Sequence, residues 1–388
     1  MKHEIAIAVY PPFATNPFDH AAVEQPRDCV TQVLRVANDS PLTLARKLLS
    51  SLTRLVTKRS LLCRRLVTTS GHTQSRIMEI ACLDLGSNSF HLQHFRVSEA
   101  GVPISAFDEK RLVKLGASVA RTGAIDSHAW QLGLDAIAQL LSLSQQRHPR
   151  HVRAVATSAV RSARNGGDFL AEIERRFPIQ VQLLSGIEEA KFSYKGVTAS
   201  GEHTLDRVAV IDIGGGSTEV TVGHGASCLY VDSLPLGVLA LAASYKDHPM
   251  SRDGILEITS DIKRTYGRRL SLAGGLGPRA IVFASGTARA VHRVVGHGSD
   301  VKQSDRGVIH LTDLYSSLER IVWLGSGEFA ALGIEAERQD TIGLAHVAMI
   351  AIMECLGCTT AKISNGGMRQ GLAVEEHQRH ARTIVSAA

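Results

Sequence analysis

Two segments, Asp84-Leu-Gly-Ser-Asn-Ser89 and Asp212-Ile-Gly-Gly-Gly-Ser217, share the pattern Asp-apolar-Gly-x-x-Ser and stand 128 residues apart. Each closes an apolar, strand-like run and opens another, at 79–85 and 90–97 in one case and at 208–213 and 218–223 in the other. A chain that makes the same strand, glycine-rich turn and strand twice is built as two similar halves. Its polar turns then face one another across a cleft.

The flanking pattern repeats as well. Strand-like runs at 79–85, 90–97 and 102–107 precede a helical stretch at 127–146, a strand at 152–156, a helix near 163–176, a strand at 179–184 and a helix from about Glu188. The second pass has strands at 208–213, 218–223 and 228–234, helices at 237–245 and 253–272, a strand at 280–284 and a helix from Thr287. Helices at 312–322 and 341–356, a strand at 360–364 and a helix from Met368 follow. The fold class is α/β, and 388 residues suit two domains better than one core. The expected division is a basic extension over 1–77, a first lobe over 78–203 and a second over 204–388, with the last helix able to pack back on the first lobe.

Charge divides the chain in the same place. The whole net charge of +6 lies in residues 1–77, which hold 11 Lys/Arg against 5 Asp/Glu, whereas the rest holds 32 of each. That extension has a basic amphipathic stretch with Leu44, Leu48, Leu52, Leu55, Leu62 and Leu66 at roughly helical spacing. Such a stretch suits a membrane surface or a partner, but the simpler reading is a dispensable or non-native leader before the start at Met78. With a neutral core, attraction for a polyanion must be local to the cleft, and no DNA partner is expected. Six scattered cysteines read as reduced thiols, and no apolar run reaches membrane-spanning length, so a cytoplasmic protein is expected.

Glycines after a strand-terminal aspartate let backbone amides approach an anion closely, so each turn suits a phosphate. Ser87, Ser89, Ser217 and Thr218 can add hydroxyl donors. Asp84 and Asp212 fall at equivalent levels and can together hold Mg2+ through its waters. One such turn alone reads as an ordinary hairpin; two at equivalent places favour a phosphate site. No Gly-x-x-x-x-Gly-Lys-Ser/Thr segment occurs, and Glu219 stands where a dinucleotide fingerprint has its third glycine. Cys355 and Cys358 with His377 and His380 have zinc-like spacing, but Cys355 falls on an apolar helix face, Gly357 reads as the end of that helix, and the histidines lie in a polar tail.

Asp84-Leu-Gly-Ser-Asn-Ser-Phe-His-Leu92, Ala156-Thr-Ser-Ala-Val-Arg161, Leu184-Ser-Gly-Ile-Glu-Glu-Ala190, Asp212-Ile-Gly-Gly-Gly-Ser-Thr-Glu219, Ser285-Gly-Thr-Ala-Arg289 and Gly366-Gly-Met-Arg-Gln-Gly371 occur in this order. Together they resemble the exopolyphosphatase/guanosine pentaphosphate phosphohydrolase family, over about 80–376. The resemblance implies two actin-like lobes, of the acetate/sugar kinase, chaperone ATPase and actin type. It also implies Mg2+-dependent release of a terminal phosphate from polyphosphate or guanosine pentaphosphate, and a homodimer. It makes Glu189 the general base and Arg161 the arginine that engages the transferred phosphate. Gly86, Ser87, Asn88, Ser89, Gly214, Gly215, Gly216, Ser217, Thr218, Gly286 and Thr287 become phosphate-binding positions. Asp84, Asp212 and Glu219 become the metal set.

Two departures stand out. The last motif has Gln370 where the family has a glutamate, and the chain ends before the helical domain that longer relatives carry. Two alternatives share the fold: a kinase with its nucleoside pocket near Ser285–Arg289, and a catalytically silent binder of alarmone or polyphosphate.

Overall fold

The first apolar run forms strand β1 (Met78–Leu85), buried along nearly its whole length, with Asp84 one residue before its end. A strand with so little polar interruption is covered on both faces, as an inner strand must be. The computed structural model describes residues 77–387 apart from 200–206, 246–250, 297–306 and 322–325. Ser75–Ala388 form one compact unit. The basic stretch from Leu44 to Leu66, and with it the reading of the leader, lies outside the described residues.

After β1 come β2 (Ser89–Val97), β3 (Pro103–Leu112), α1 (Leu115–Thr122), α2 (Ser127–Gln145), β4 (His151–Ala156), α3 (Ser158–Ser162), α4 (Gly166–Arg176), β5 (Val181–Leu183) and α5 (Gly186–Thr198). The plan restarts with β6 (Arg207–Ile213), β7 (Thr218–His224), β8 (Ser227–Leu234), α6 (Val238–Ser244), α7 (Arg252–Gly275), β9 (Ala280–Phe283) and α8 (Gly286–Gly296). Then follow β10 (Val308–His310), α9 (Leu311–Ile321), α10 (Ser326–Ala331), α11 (Ala336–Gln339), α12 (Ile342–Leu356), β11 (Thr360–Ile363) and α13 (Met368–Ala387).

One sheet has the order β3-β2-β1-β4-β5 and the other β10-β11-β9-β6-β7-β8. In both, three antiparallel strands are continued by parallel ones, and the second sheet adds β10 at its edge. These are two halves of the ribonuclease H-like type, and the architecture is actin-like. Register matches between the halves: Asp84 pairs with His91, and Asp212 pairs with Glu219.

Each half has its own core, around Leu83, Phe90 and Phe169 in the first and around Ile211, Phe283 and α12 in the second. α12 is apolar all round and buried on nearly every side, as its sequence Ile-Gly-Leu-Ala-His-Val-Ala-Met requires. α13 leaves the second sheet and seats Leu372 and Ala373 against Met78, Ile80 and Phe95 of the first. It crosses α5 at two glycines. A Cβ on Gly196 would stand 1.9 Å from the Gly367 oxygen, and one on Gly371 would stand 2.0 Å from the Phe192 oxygen.

β3 runs to Leu112, past the expected end at 107, because its charged residues lie on a sheet edge that faces water. The helix expected near 163–176 is α4, and the short α3 ahead of it, set off by extended backbone at Ala163, is an additional element. The short elements α1, β10, α10 and α11 carry too little periodicity to be read from sequence. Among the described residues no helix is long and apolar enough to cross a membrane.

Candidate active site

The two glycine-rich turns are held in the same way. In the first, the Ser87 carbonyl accepts from Gly116 N at 2.7 Å and the Asn88 carbonyl from Lys114 N at 2.9 Å, at the start of α1. In the second, the Gly214 carbonyl accepts from Val238 N at 3.1 Å and the Gly215 carbonyl from Leu239 N at 2.8 Å, at the start of α6. These bonds tie each turn to the helix that follows it and hold it beside the cleft. The turns approach each other closely: a Cβ on Gly216 would lie 2.5 Å from Ser158 Oγ and 3.4 Å from Ser87 Oγ. Any larger side chain there would fill the gap between the halves.

Between them lies a cavity of about 540 Å³, lined by Asp84, the two turns, Glu189, Asp212 and the Ser285–Thr287 turn. Gly86, Ser87, Asn88, Ser89, Gly214, Gly215, Gly216, Ser217, Gly286 and Thr287 all line it. Three of the sequence-predicted residues do not. Thr218 is fully buried and its hydroxyl donates to the Leu236 carbonyl at 2.5 Å, so it is corrected from a phosphate donor to a structural tie. Arg161 stands behind Glu189, with Nη1 2.6 Å from the Leu184 carbonyl and 3.3 Å from Glu189 Oε2. Glu219 lies behind Asp212, accepting from Ser233 Oγ at 2.9 Å.

The neighbouring glutamates of α5 divide their work. Ser185 caps the helix, its hydroxyl accepting from Glu188 N, while Glu188 Oε2 accepts from Ser185 N at 2.8 Å. This capping box fixes Glu188 at the helix start and aims Glu189 into the cleft. Burial, then the charge of Glu219, raises Glu189 well above the usual carboxylate range, and Arg161 opposes the rise. Burial raises Asp212 to about 6 against the hydrogen bond from Ser193, and burial with the charge of Asp212 raises Glu219 to about 7. Carboxylates gathered out of water resist ionising together, and a cation among them relieves this.

Asp84 is raised by burial and steadied by Arg369, whose Nη1 lies 3.2 Å from Oδ2. Its Oδ1 is buried without a hydrogen-bond partner. Such an oxygen beside Asp212 fits a divalent cation held by one or two carboxylates and water, the usual habit of Mg2+. Among the described residues no three Asp, Glu, His or Cys side chains form a ready-made metal cage. Cys355 and Cys358 pack against the core of the second half, whereas His380 lies against His151 of the first, so that foursome does not converge.

Sequence reading missed the basic wall. Arg289, Arg293, Arg338 and Arg369 line the cavity with Lys110, His91 and Asp108. Burial, then the like charges of Arg369, Arg338 and Arg293, depress Arg289, partly offset by Asp212. The charge was invisible in a net-neutral core because its members come from β3, α8, α11 and α13. Gln370 lines the cavity too, and its Nε2 donates to the Asn365 carbonyl at 3.0 Å, a bond that a glutamate carboxylate cannot donate.

Paired glycine-rich turns, two strand-end aspartates and a raised glutamate line the cleft of an actin-like protein of two ribonuclease H-like halves. Residues 96–380 match the Ppx/GppA phosphatase family, and the chain belongs to it. It is 31% identical over 300 residues to the guanosine-5'-triphosphate,3'-diphosphate pyrophosphatase of Vibrio cholerae, matching 76% of this chain and 58% of that protein. The protein of that name in Aeromonas hydrophila is 30% identical over 294 residues. The chain thus spans less than two thirds of the length of these relatives. Among solved structures, the Aquifex aeolicus Ppx/GppA family member superposes with a TM-score of 0.65 at 24% identity, covering 78% of this chain and 99% of that one. An exopolyphosphatase from Cytophaga hutchinsonii gives 0.69 at 22% identity, covering 78% and 98%.

Proposed function

We propose that this protein hydrolyses the terminal phosphoanhydride bond of inorganic polyphosphate or guanosine pentaphosphate, with Mg2+. The observation that carries this reading is Glu189, raised above the carboxylate range and aimed between two facing glycine-rich turns. The names of the relatives, pyrophosphatase and exopolyphosphatase, support the choice of bond and of substrates.

In this reading the amides of Gly86–Ser89 and Gly215–Ser217 cradle the terminal phosphate. Glu189 takes a proton from a water placed in line with the scissile bond, and its raised affinity for protons suits it to that task near neutral pH. Arg161, behind Glu189, restrains that carboxylate and holds its orientation toward the cleft. Asp84 and Asp212 would hold Mg2+, with the charge of Glu219 behind Asp212, and the ion would neutralise phosphate charge when bound. The arginine wall takes the remaining phosphates of the leaving chain.

A kinase would need open space at the Ser285–Arg289 turn. There a Cβ on Gly286 would stand only 2.6 Å from Arg338 Nη2, so a guanidinium occupies that side. We place the enzyme in the cytoplasm as a homodimer, which sedimentation of the purified protein tests. The central test is phosphate release from polyphosphate and guanosine pentaphosphate side by side. Glu189→Gln should lower turnover by roughly 10²–10⁴-fold with substrate affinity kept. Wild-type turnover in that variant removes Glu189 as the base.

A further inference from the structure

Glu335, just before α11, holds a cation from each half of the molecule. Its Oε1 lies 2.8 Å from Nζ of Lys110 on β3, and its Oε2 accepts from Arg338 Nε. Both cations line the cleft, as does Glu335 itself. Arg338 also rests against the Ser285–Thr287 turn, with Nη1 3.4 Å from Thr287 Oγ1. Burial alone would raise the Glu335 carboxyl, but its bonds to Lys110 and Arg338 bring it down to about 2. It is therefore an anion throughout the working pH range.

Lys110 and Glu335 keep 34% and 39% of their side-chain surface in water. An ion pair so exposed is weak and yields to a multiply charged ligand. Phosphate oxygens offer the same cations several charges and bidentate geometry for the guanidinium. A carboxylate that bridges two cleft cations from opposite halves thus stands where a substrate phosphate would stand.

We infer that Glu335 is an internal competitor for the polyphosphate chain: it occupies Lys110 and Arg338 until phosphate groups displace it, and so sets the affinity for short and long substrates. This rests on reading the cleft as a phosphoanhydride site. Each Lys110 or Arg338 released from Glu335 is regained by a phosphate, so a substrate long enough to reach both gains most. Glu335 then acts as a length filter at the cleft mouth, favouring chains that span from the glycine-rich turns to β3.

The test is calorimetric titration of the full-length protein in EDTA with inorganic tripolyphosphate and with a long polyphosphate, for wild type, Glu335→Gln and Lys110→Met. Removing the competing charge should tighten tripolyphosphate binding about three- to tenfold and narrow the preference for the long chain. Lys110→Met should weaken both. A strut that merely joins the halves predicts the reverse for Glu335→Gln, weaker binding, and that result or unchanged affinity overturns the inference. Wild-type binding with no gain in Glu335→Gln sinks this inference alone, whereas no binding of either polymer by wild type, in EDTA and again with Mg2+ added, sinks the reading of the cleft and the inference with it.

Discussion

Ser193 donates its hydroxyl hydrogen to Asp212 Oδ2 across 2.5 Å, from one helical turn beyond Glu189 on α5. One helix therefore aims the proposed base and fixes the carboxylate at the end of β6. Ser193 is itself buried, so no water can take over its bond. Ser193→Ala should raise the Mg2+ concentration for half-maximal activity about tenfold, as expected for losing a hydrogen bond to a charged group. It should equally weaken the thermal stabilisation that Mg2+ gives, while Ser193→Thr, which keeps the hydroxyl, stays closer to wild type. Identical Mg2+ titrations for serine and alanine would detach this bond from the metal site.

Glu219 raises Glu189 through its negative charge, second only to burial. Glu219→Gln removes that charge, so Glu189 loses its proton more readily. The acid limb of the kcat–pH profile, where activity appears as the base ionises, should move to lower pH. In wild type the limb belongs to the coupled pair and not to one residue. A limb that stays in place, or moves up, would show that another group governs it.

Asp212 bears on stability in the opposite sense to an ordinary ion-paired aspartate. Its folded pKa, about 6, lies above the unfolded value, so its contribution is fully favourable below about 4 and is lost as pH rises through 6. Asp212→Asn should therefore stabilise the metal-free protein at pH 7.5, by on the order of 1–3 kcal/mol, and change little at pH 4. Melting temperatures of the two proteins at both pH values, in EDTA, decide this. Equal differences at the two pH values would mean that the buried charge is not the cause.

A protein that begins at Met78 should fold, melt in a cooperative transition and keep its phosphate release. β1 starts there, and its residues Met78 and Ile80 already sit in a core with Phe95 and Leu372. Residues 1–77 carry the entire charge excess, so their removal should also abolish most adsorption to anionic vesicles. Insolubility or loss of most activity would make the first 77 residues part of the working enzyme.

Where the sequence spoke clearly, it did so through repetition. Asp84 and Asp212 could be matched by pattern, and the strands around them followed. Glu189 could be separated from Glu188 only by the family resemblance, yet the capping box begun by Ser185 was legible in Ser-Gly-Ile-Glu and gives the physical reason. Arg161 and Glu219 were expected at the phosphate and the metal but stand one layer back, because motif spacing says which turn a residue follows and not which way it points. Lys110, Arg289, Arg338 and Arg369 were unreadable as a group, since only folding brings four distant elements to one wall. Ser193 had no signal at all; a lone serine inside a helix is unremarkable until Asp212 is seen beside it.

The seating of α13 on β1 and α5 has a consequence for synthesis. The first sheet emerges early from the ribosome, yet one face of its central strand lacks the part of its cover that Leu372 and Ala373 supply until Met368–Ala387 has been made. At roughly 5–20 residues per second, nearly 300 residues later means a wait of about 15–60 s. During that interval the patch of Met78, Ile80 and Phe95 that α13 covers lacks its partner, and the half that is translated first is completed last. A nascent chain stalled before α13 should bind chaperones through this surface, and release should coincide with the arrival of Leu372 and Ala373.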